Sequence, residues 1–410
     1  MSELSAITHH QAVLQFKEMQ LDTILQLTKS INENVHAPDL YQYFKEILQE
    51  QLGIKNFAIF VFDQAWRKEL ADVEEVPEPS STQVEKHLSS YLAPSPLDSK
   101  DLSAFPGFEY VIPVYHKSQA LAYILVGEFA ATLPTDTKEI LSYLQTLSNI
   151  IIVAIENKRL FKREVEKKQF DKELELASKV QNMLIPNKLP KNNLYEFGGF
   201  YLPFKGIGGD YYDVIHINKN EFLFCIADIS GKGVAAALVM ANLQASLNSM
   251  VSLNLTTKDL VARLNQKIYS ITKGENFITF FIGKYNILKK ELYYINAGHN
   301  PPVLIEPDGL QHMLTEGCTI LGVFEDLPKI SEGYIKVKNN TTILAFTDGL
   351  TELENPSGEQ YGMENLVAFC EKNYKLGPDI FIKILYDHIS KFKGNMLFND
   401  DISVLACKFW

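Results

Sequence analysis

At 410 residues, with 46% hydrophobic and 22% charged side chains, the chain is globular in composition and too long for one ordinary core; two or three domains of about 150 residues are expected. A formal charge of −11 leaves no basic surplus to neutralise phosphates, which excludes sequence-independent nucleic-acid binding. Cys225, Cys318, Cys370 and Cys407 lack CxxC spacing, the opening MSELSAITHH has no basic segment followed by an apolar run, and no stretch reaches ~18 uninterrupted apolar residues, so a soluble cytoplasmic protein with reduced thiols is expected.

The first elements are helical. Leu21, Ile24, Leu25, Leu27 and Ile31, then Leu40, Phe44, Ile47 and Leu48, recur at helical spacing. FAIFVFD, from Phe57 to Asp63, is a buried-strand run. After a polar, proline-containing stretch come YVIPVYH and ALAYILVGEF, and a closing helix is expected from about Thr137 to Glu156. Helices at both ends of a central antiparallel sheet, ending in IIVAIENKRL, make residues 1–158 resemble a GAF-type α/β sensory domain. A PAS-like domain has the same pattern.

A charged connector follows over residues 159–190, and its helix should stop before Pro186. A heptad reading aligns Leu160, Phe170, Leu174, Ala177 and Leu184, interrupted by Arg163, Lys167 and Gln181. A solvated connecting helix and a weak parallel coiled coil both fit; the second implies a homodimer. Residues 191–410 are rich in strands: FITFFIGKYNI, ELYYINA, PPVLIE, EGYIKVK, TTILAFT and ISVLACKF. Turns are expected at Lys289-Lys290, Pro307-Asp308-Gly309 and Asn339-Asn340. Helices interleave in pairs, Val234 to Leu253 with Lys258 to Thr272, and Met363 to Asn373 with Pro378 to Phe392. That order suggests an α+β sandwich of antiparallel sheets covered by helices.

The chemistry is concentrated in aspartates at strand edges. GGDYYD spans Gly208 to Asp213, and Asp228 closes FLFCIA. The runs Tyr211 to Ile217 and Phe222 to Ala227 flank Asn218-Lys219-Asn220 at hairpin spacing; with Lys219 as the tip, Asp210 and Asp228 face each other across the ladder. Like charges at cross-strand spacing of about 5 Å repel unless a cation lies between them. Asp348 ends ILAFT and Asp400 precedes ISVLACKF. Since the start of an antiparallel strand lies beside the end of its neighbour, all four carboxylates fit one rim. Aspartates without histidine or cysteine at ligand spacing favour Mg²⁺ or Mn²⁺ over zinc. Two such ions can clamp a phosphate and activate water for in-line attack. No cysteine has an arginine six positions on, and no DxDxT occurs, so the covalent phosphatase routes are absent.

GGDYYD, DISGKGVAAALVM, NAGHNPPVL, TDGLTELENPSGEQYG and NDDISVL, in that order, resemble the metal-dependent type 2C serine/threonine phosphatases, in the bacterial sporulation stage II E branch. The resemblance implies an α-β-β-α sandwich, two Mn²⁺ or Mg²⁺ ions, and Asp210, Asp228, Asp348, Asp400 and the main-chain carbonyl of Ile229 as metal ligands. Asp401 and Asp213 would support them. With a GAF-like domain upstream, it further implies a phosphatase of the sigma-factor partner-switching kind, acting on phosphoserine of a small STAS-type anti-anti-sigma protein. Eukaryotic relatives hold the substrate phosphate with an arginine that is missing near GGDYYD; Lys205 is the candidate substitute.

Two other functions fit parts of the pattern: a catalytically silent scaffold of the same fold, and a GGDEF-type nucleotide cyclase, whose motif Tyr211 breaks. Bland readings attach to the remaining features. SGKG, Ser230 to Gly233, reads as a tight turn into a helix with Ser230 as a cap. His299 reads as a turn histidine, with Asn296 and Asn300 stabilising its loop, and Gly349 as a site of close backbone approach. Glu352 reads as a solvated charge.

Overall fold

The structure, a computed structural model, describes residues 2–72, 80–131, 133–204 and 206–410, with side chains from residue 9 onward; Lys205 falls outside them. The chain divides into two compact units, Met1–Lys168 and Gln169–Trp410.

The first unit is built in chain order from α1 (Ser2–Asn32), α2 (Ala37–Glu46), β1 (Phe57–Asp63), β2 (Ala65–Ala71), α3 (Ser81–Leu88), β3 (Ser95–Pro96), α4 (Ser99–Ala104), β4 (Tyr110–His116), β5 (Gln119–Val126) and the start of α5 (Thr137–Asn182). Its antiparallel sheet has the order β2-β1-β5-β4-β3. Period-two alternation sends Ile59, Val61, Ile124 and Val126 to one face, where Leu27, Phe44, Leu144 and Ile151 of α1, α2 and α5 cover them. Phe60, Tyr123 and Leu125 go to the other, under Val84 and Leu88 of α3 and Phe105. Sequence reading misses β2, because AWRKELA carries its charges on an edge strand whose outer face needs no apolar residue.

The structure joins the expected closing helix and connector into one uninterrupted helix, α5, which ends at Asn182, before Pro186. Its exposed stretch carries Glu164–Lys168 and Glu175–Lys179 pairs, each at 2.7 Å. Leu160 and Phe170 of the seam are exposed, whereas Gln181, read as an interruption, is buried.

The second unit continues with β6 (Tyr195–Leu202), β7 (Tyr211–Asn218), β8 (Glu221–Ile229), α6 (Val234–Val251), α7 (Thr257–Thr272), β9 (Ile278–Asn286), β10 (Glu291–Ala297), β11 (Val303–Ile305), β12 (Gln311–Met313), β13 (Gly317–Cys318), β14 (Gly333–Lys336), β15 (Thr341–Phe346), α8 (Asp348–Thr351), α9 (Gly362–Asn373), α10 (Pro378–Lys393) and β16 (Ile402–Phe409). One sheet has the order β13-β10-β9-β8-β7, with β14 also on β10; the other is β12-β11-β15-β16-β6. All pairings are antiparallel except the short β10–β13 bridge. The sheets face each other through rings such as Phe197 with Phe222 and Tyr285 with Phe409, the latter at 4.3 Å between centroids. Met240, Leu243 and Leu247 of α6 and Leu264 and Ile268 of α7 cover the first sheet; Phe369, Phe381 and Leu385 of α9 and α10 cover the second. The result is the expected α+β, α-β-β-α sandwich.

Strand β6 is not read from YEFGGFYL because two glycines resemble a turn. They are packing devices instead: a Cβ on Gly199 would lie 2.7 Å from the Val404 carbonyl oxygen, and one on Gly198 would lie 2.9 Å from Pro378 at the start of α10. Helices α5 and α6 are long and apolar enough on average to span a bilayer, a property that unbroken apolar runs do not reveal; each buries part of its most apolar stretch in the protein.

Candidate active site

The β7–β8 hairpin sets the first two carboxylates. Tyr211 pairs with Ala227, so Asp210 and Asp228 are the next positions of the same register. The tip differs from expectation: Lys219 and Asn220 form a two-residue turn, and a bulge between His216 and Asn218 absorbs the extra residue, which restores the register at the site end. Asp228 shares the side of β8 that carries Phe222, Phe224 and Ile226 toward the second sheet.

From that second sheet come Asp348, just past β15, and Asp400, just before β16. Thr347 ties the sheets together at this edge. Its Oγ1 donates to Asp210 Oδ2 at 2.7 Å and accepts from Ser403 N–H at 2.9 Å, while its own N–H donates to the Ser403 carbonyl. Asp348 opens the short helix α8, and Gly349 behind it has no room for a side chain, since a Cβ would lie 2.0 Å from the Asp401 carbonyl oxygen. The Ile229 carbonyl lies against Gly209, 2.8 Å from where a Cβ would stand.

Asp401 is turned away to a different task. Its Oδ1 accepts from Phe204 N–H and its Oδ2 from Gly209 N–H, both at 2.8 Å, clipping the loop that leads into Asp210. Asp400 faces Lys232 instead, whose Nζ donates to Oδ2 at 2.9 Å and lies over the Phe204 ring.

Electrostatics mark these carboxylates as a group. The Asp228 carboxyl is pushed up to about 7, first by burial and then by the negative charges of Asp348, Asp400 and Asp401, with Lys232 opposing. Asp210 is raised well above the ordinary range by burial, then by Asp228 and Asp401; Asp348 is raised by burial and by Asp400. Acidic oxygens forced together this way bind protons or a hard cation more readily than isolated ones, so the donor set fits Mg²⁺ or Mn²⁺. Among the described residues, no three acidic, histidine or cysteine side chains already stand as a closed metal cage. Asp400 remains committed to Lys232.

Two further expectations, those for Asp213 and Ser230, are corrected. Asp213 does not support the metal ligands: its Oδ2 accepts from the Tyr211 hydroxyl at 2.6 Å on the opposite, helix-facing side of β7. Ser230 does not cap α6, which starts after Gly233; its Oγ accepts from Phe277 N–H and pins the turn to the start of β9. His299 is a buried loop histidine: Asn296 accepts its N–H, Nδ1 hydrogen-bonds Thr279, the cross-strand neighbour of Asp228, and burial lowers the ring to about 4, leaving it neutral. Glu352 is exposed, as expected of a solvated charge, and its carboxyl is raised by desolvation and by the charges of Asp348 and Asp400. Sequence reading missed Thr347, Ser403 and Lys232; the signals were a polar TDG flank to an apolar strand and a lysine inside a glycine turn.

Residues 218–410 match the family model described as Stage II sporulation protein E (SpoIIE). The matched range begins after Asp210 and includes Asp228, Asp348 and Asp400. The chain is 26% identical over 239 residues to the phosphoserine phosphatase RsbU of Bacillus subtilis (strain 168), covering 58% of this chain and 70% of that protein. It is 24% identical over 185 residues to the phosphoserine phosphatase RsbP of Bacillus subtilis (strain 168), covering 44% of this chain and 45% of that one. The solved SiaA-PP2C domain of Pseudomonas aeruginosa shares the fold at a TM-score of 0.53 and 15% identity, over 60% of this chain and 99% of that one. The second unit thus has the fold of a PP2C domain, and residues 218–410 within it match the SpoIIE family model.

Proposed function

We propose that this chain is a Mn²⁺- or Mg²⁺-dependent protein serine/threonine phosphatase of the cytoplasm, acting on phosphoserine of a small STAS-type anti-anti-sigma protein. Residues 1–158 serve as a GAF-like sensory domain, and residues 159–190 as a connector through which two copies pair in a parallel coiled coil. The observation that carries the reading is the meeting of Asp210 and Asp228 from one sheet with Asp348 and Asp400 from the other, in a field that raises Asp228 to about 7.

Asp210, Asp228, Asp348, Asp400 and the Ile229 carbonyl would hold two ions, which when bound polarise phosphoryl oxygens and activate water. In the hydrolysis, the water oxygen forms a bond to phosphorus as the bond to the serine oxygen breaks. The products are free serine hydroxyl and inorganic phosphate. Lys232 supplies a positive charge at this edge and is a second candidate, beside Lys205, for holding the substrate phosphate that arginine holds in the eukaryotic relatives. Phosphate release from a phosphoserine peptide with and without Mn²⁺ tests the reading. The scaffold alternative requires no release under either condition.

A further inference from the structure

The last turn of α5 departs from the rest of its outer stretch. Side chains from residue 160 to 173 are exposed, whereas Gln181 is 4% exposed. Both ends of its carboxamide engage one residue. Gly208 N–H donates to Oε1 at 3.2 Å, and Nε2 donates to the Gly208 carbonyl. A primary amide offers donor and acceptor side by side, as a peptide group does, so this pairing takes the place of a neighbouring strand.

Gly208 needs such a partner. Residues 203–204 and 206–210 lie in no ladder, and Asp401 receives the N–H groups of Phe204 and Gly209 on the other side. The fit is close enough that a Cβ on Gly208 would lie 1.9 Å from Asp401 Oδ2. Two residues further on, Asp210 enters the acidic rim. The loop is therefore held between a carboxylate at the site and an amide on a helix.

We propose that Gln181 is a positioning residue for this loop: acting through Gly208, it sets where Asp210 stands and so makes metal affinity depend on the position of the end of α5. The proposal rests on the metal-dependent phosphatase reading. Turning the helix by one residue rotates a side chain by about 100° and carries the amide away from Gly208.

The test uses the full chain as wild type, Gln181→Met, which keeps length and removes both hydrogen bonds, and Gln181→Asn, which keeps the amide but withdraws it by one methylene. Gln169→Met, at an exposed position of the same helix, is the control. Calorimetric titration with Mn²⁺ should give a dissociation constant at least tenfold weaker for both Gln181 variants, about 1.4 kcal/mol. Turnover at saturating Mn²⁺ should stay within about threefold of wild type, and the control should match wild type in both. Folded Gln181 variants with wild-type Mn²⁺ affinity would overturn the proposal, as would lost turnover at unchanged affinity. Should the variants not fold, hydrogen exchange on the wild type decides: Mn²⁺ must slow exchange in residues 203–210 and 178–182 together, and protection confined to the first segment contradicts the coupling. A wild type that does not bind Mn²⁺ at all removes the phosphatase reading instead.

Discussion

Asp228 carries a liability that the metal-free protein exposes. Its carboxyl titrates near 4 in the unfolded chain and is raised to about 7 in the fold, so between those values the native state holds the extra proton. The sign follows: stability of the metal-free protein falls as pH rises from about 4 to 7, and the loss is complete above 7. Asp228→Asn removes the charge, so the metal-free variant should be more stable than wild type at pH 8 by roughly 1–3 kcal/mol, with the gap closing toward pH 4. Chemical denaturation across that range checks it; a gap independent of pH contradicts the cause given. Lys232 makes the opposite kind of prediction. Lys232→Met should raise KM for a phosphoserine peptide about tenfold or more if the ammonium holds phosphate, and an unchanged KM would leave Lys205 as the candidate.

The junction between β15 and α8 is where an element boundary and the site coincide. Gly349→Ala would press a methyl into the Asp401 carbonyl, so it should cost about 2 kcal/mol of unfolding free energy and weaken the site with it. Urea unfolding measures the first effect, and a neutral substitution would show that the backbone yields. For α5 the expectation concerns assembly. Leu160 and Phe170 are exposed on a stretch of helix that carries i,i+4 charge pairs. If they form a coiled-coil seam, the wild type is a dimer by light scattering and Phe170→Lys shifts it toward monomer. A wild-type monomer at high concentration contradicts the seam.

Across the whole molecule, what was legible in the sequence was whatever alternation or helical spacing announces. The interleaved helix pairs and apolar strands of the second unit gave the sandwich, and hairpin spacing placed Asp210 opposite Asp228 even though the turn was misread by one residue. Two edge strands were not legible: β2 is charged and β6 contains glycines whose purpose, room for Pro378 and Val404, exists only in three dimensions. Thr347 and Gln181 escaped for the same reason, since their partners lie 137 and 27 residues away. Asp213 was misassigned because its motif neighbours suggested a role that strand alternation forbids.

The central claim is that the aspartate rim performs metal-dependent hydrolysis, and one assay addresses it: phosphate release from a phosphoserine peptide by wild type, Asp228→Ala and Asp348→Ala, each with and without Mn²⁺. The account predicts release by the wild type only with Mn²⁺, and loss of roughly 10²-fold or more in both variants. Metal-independent release, or full activity in either variant, would contradict it.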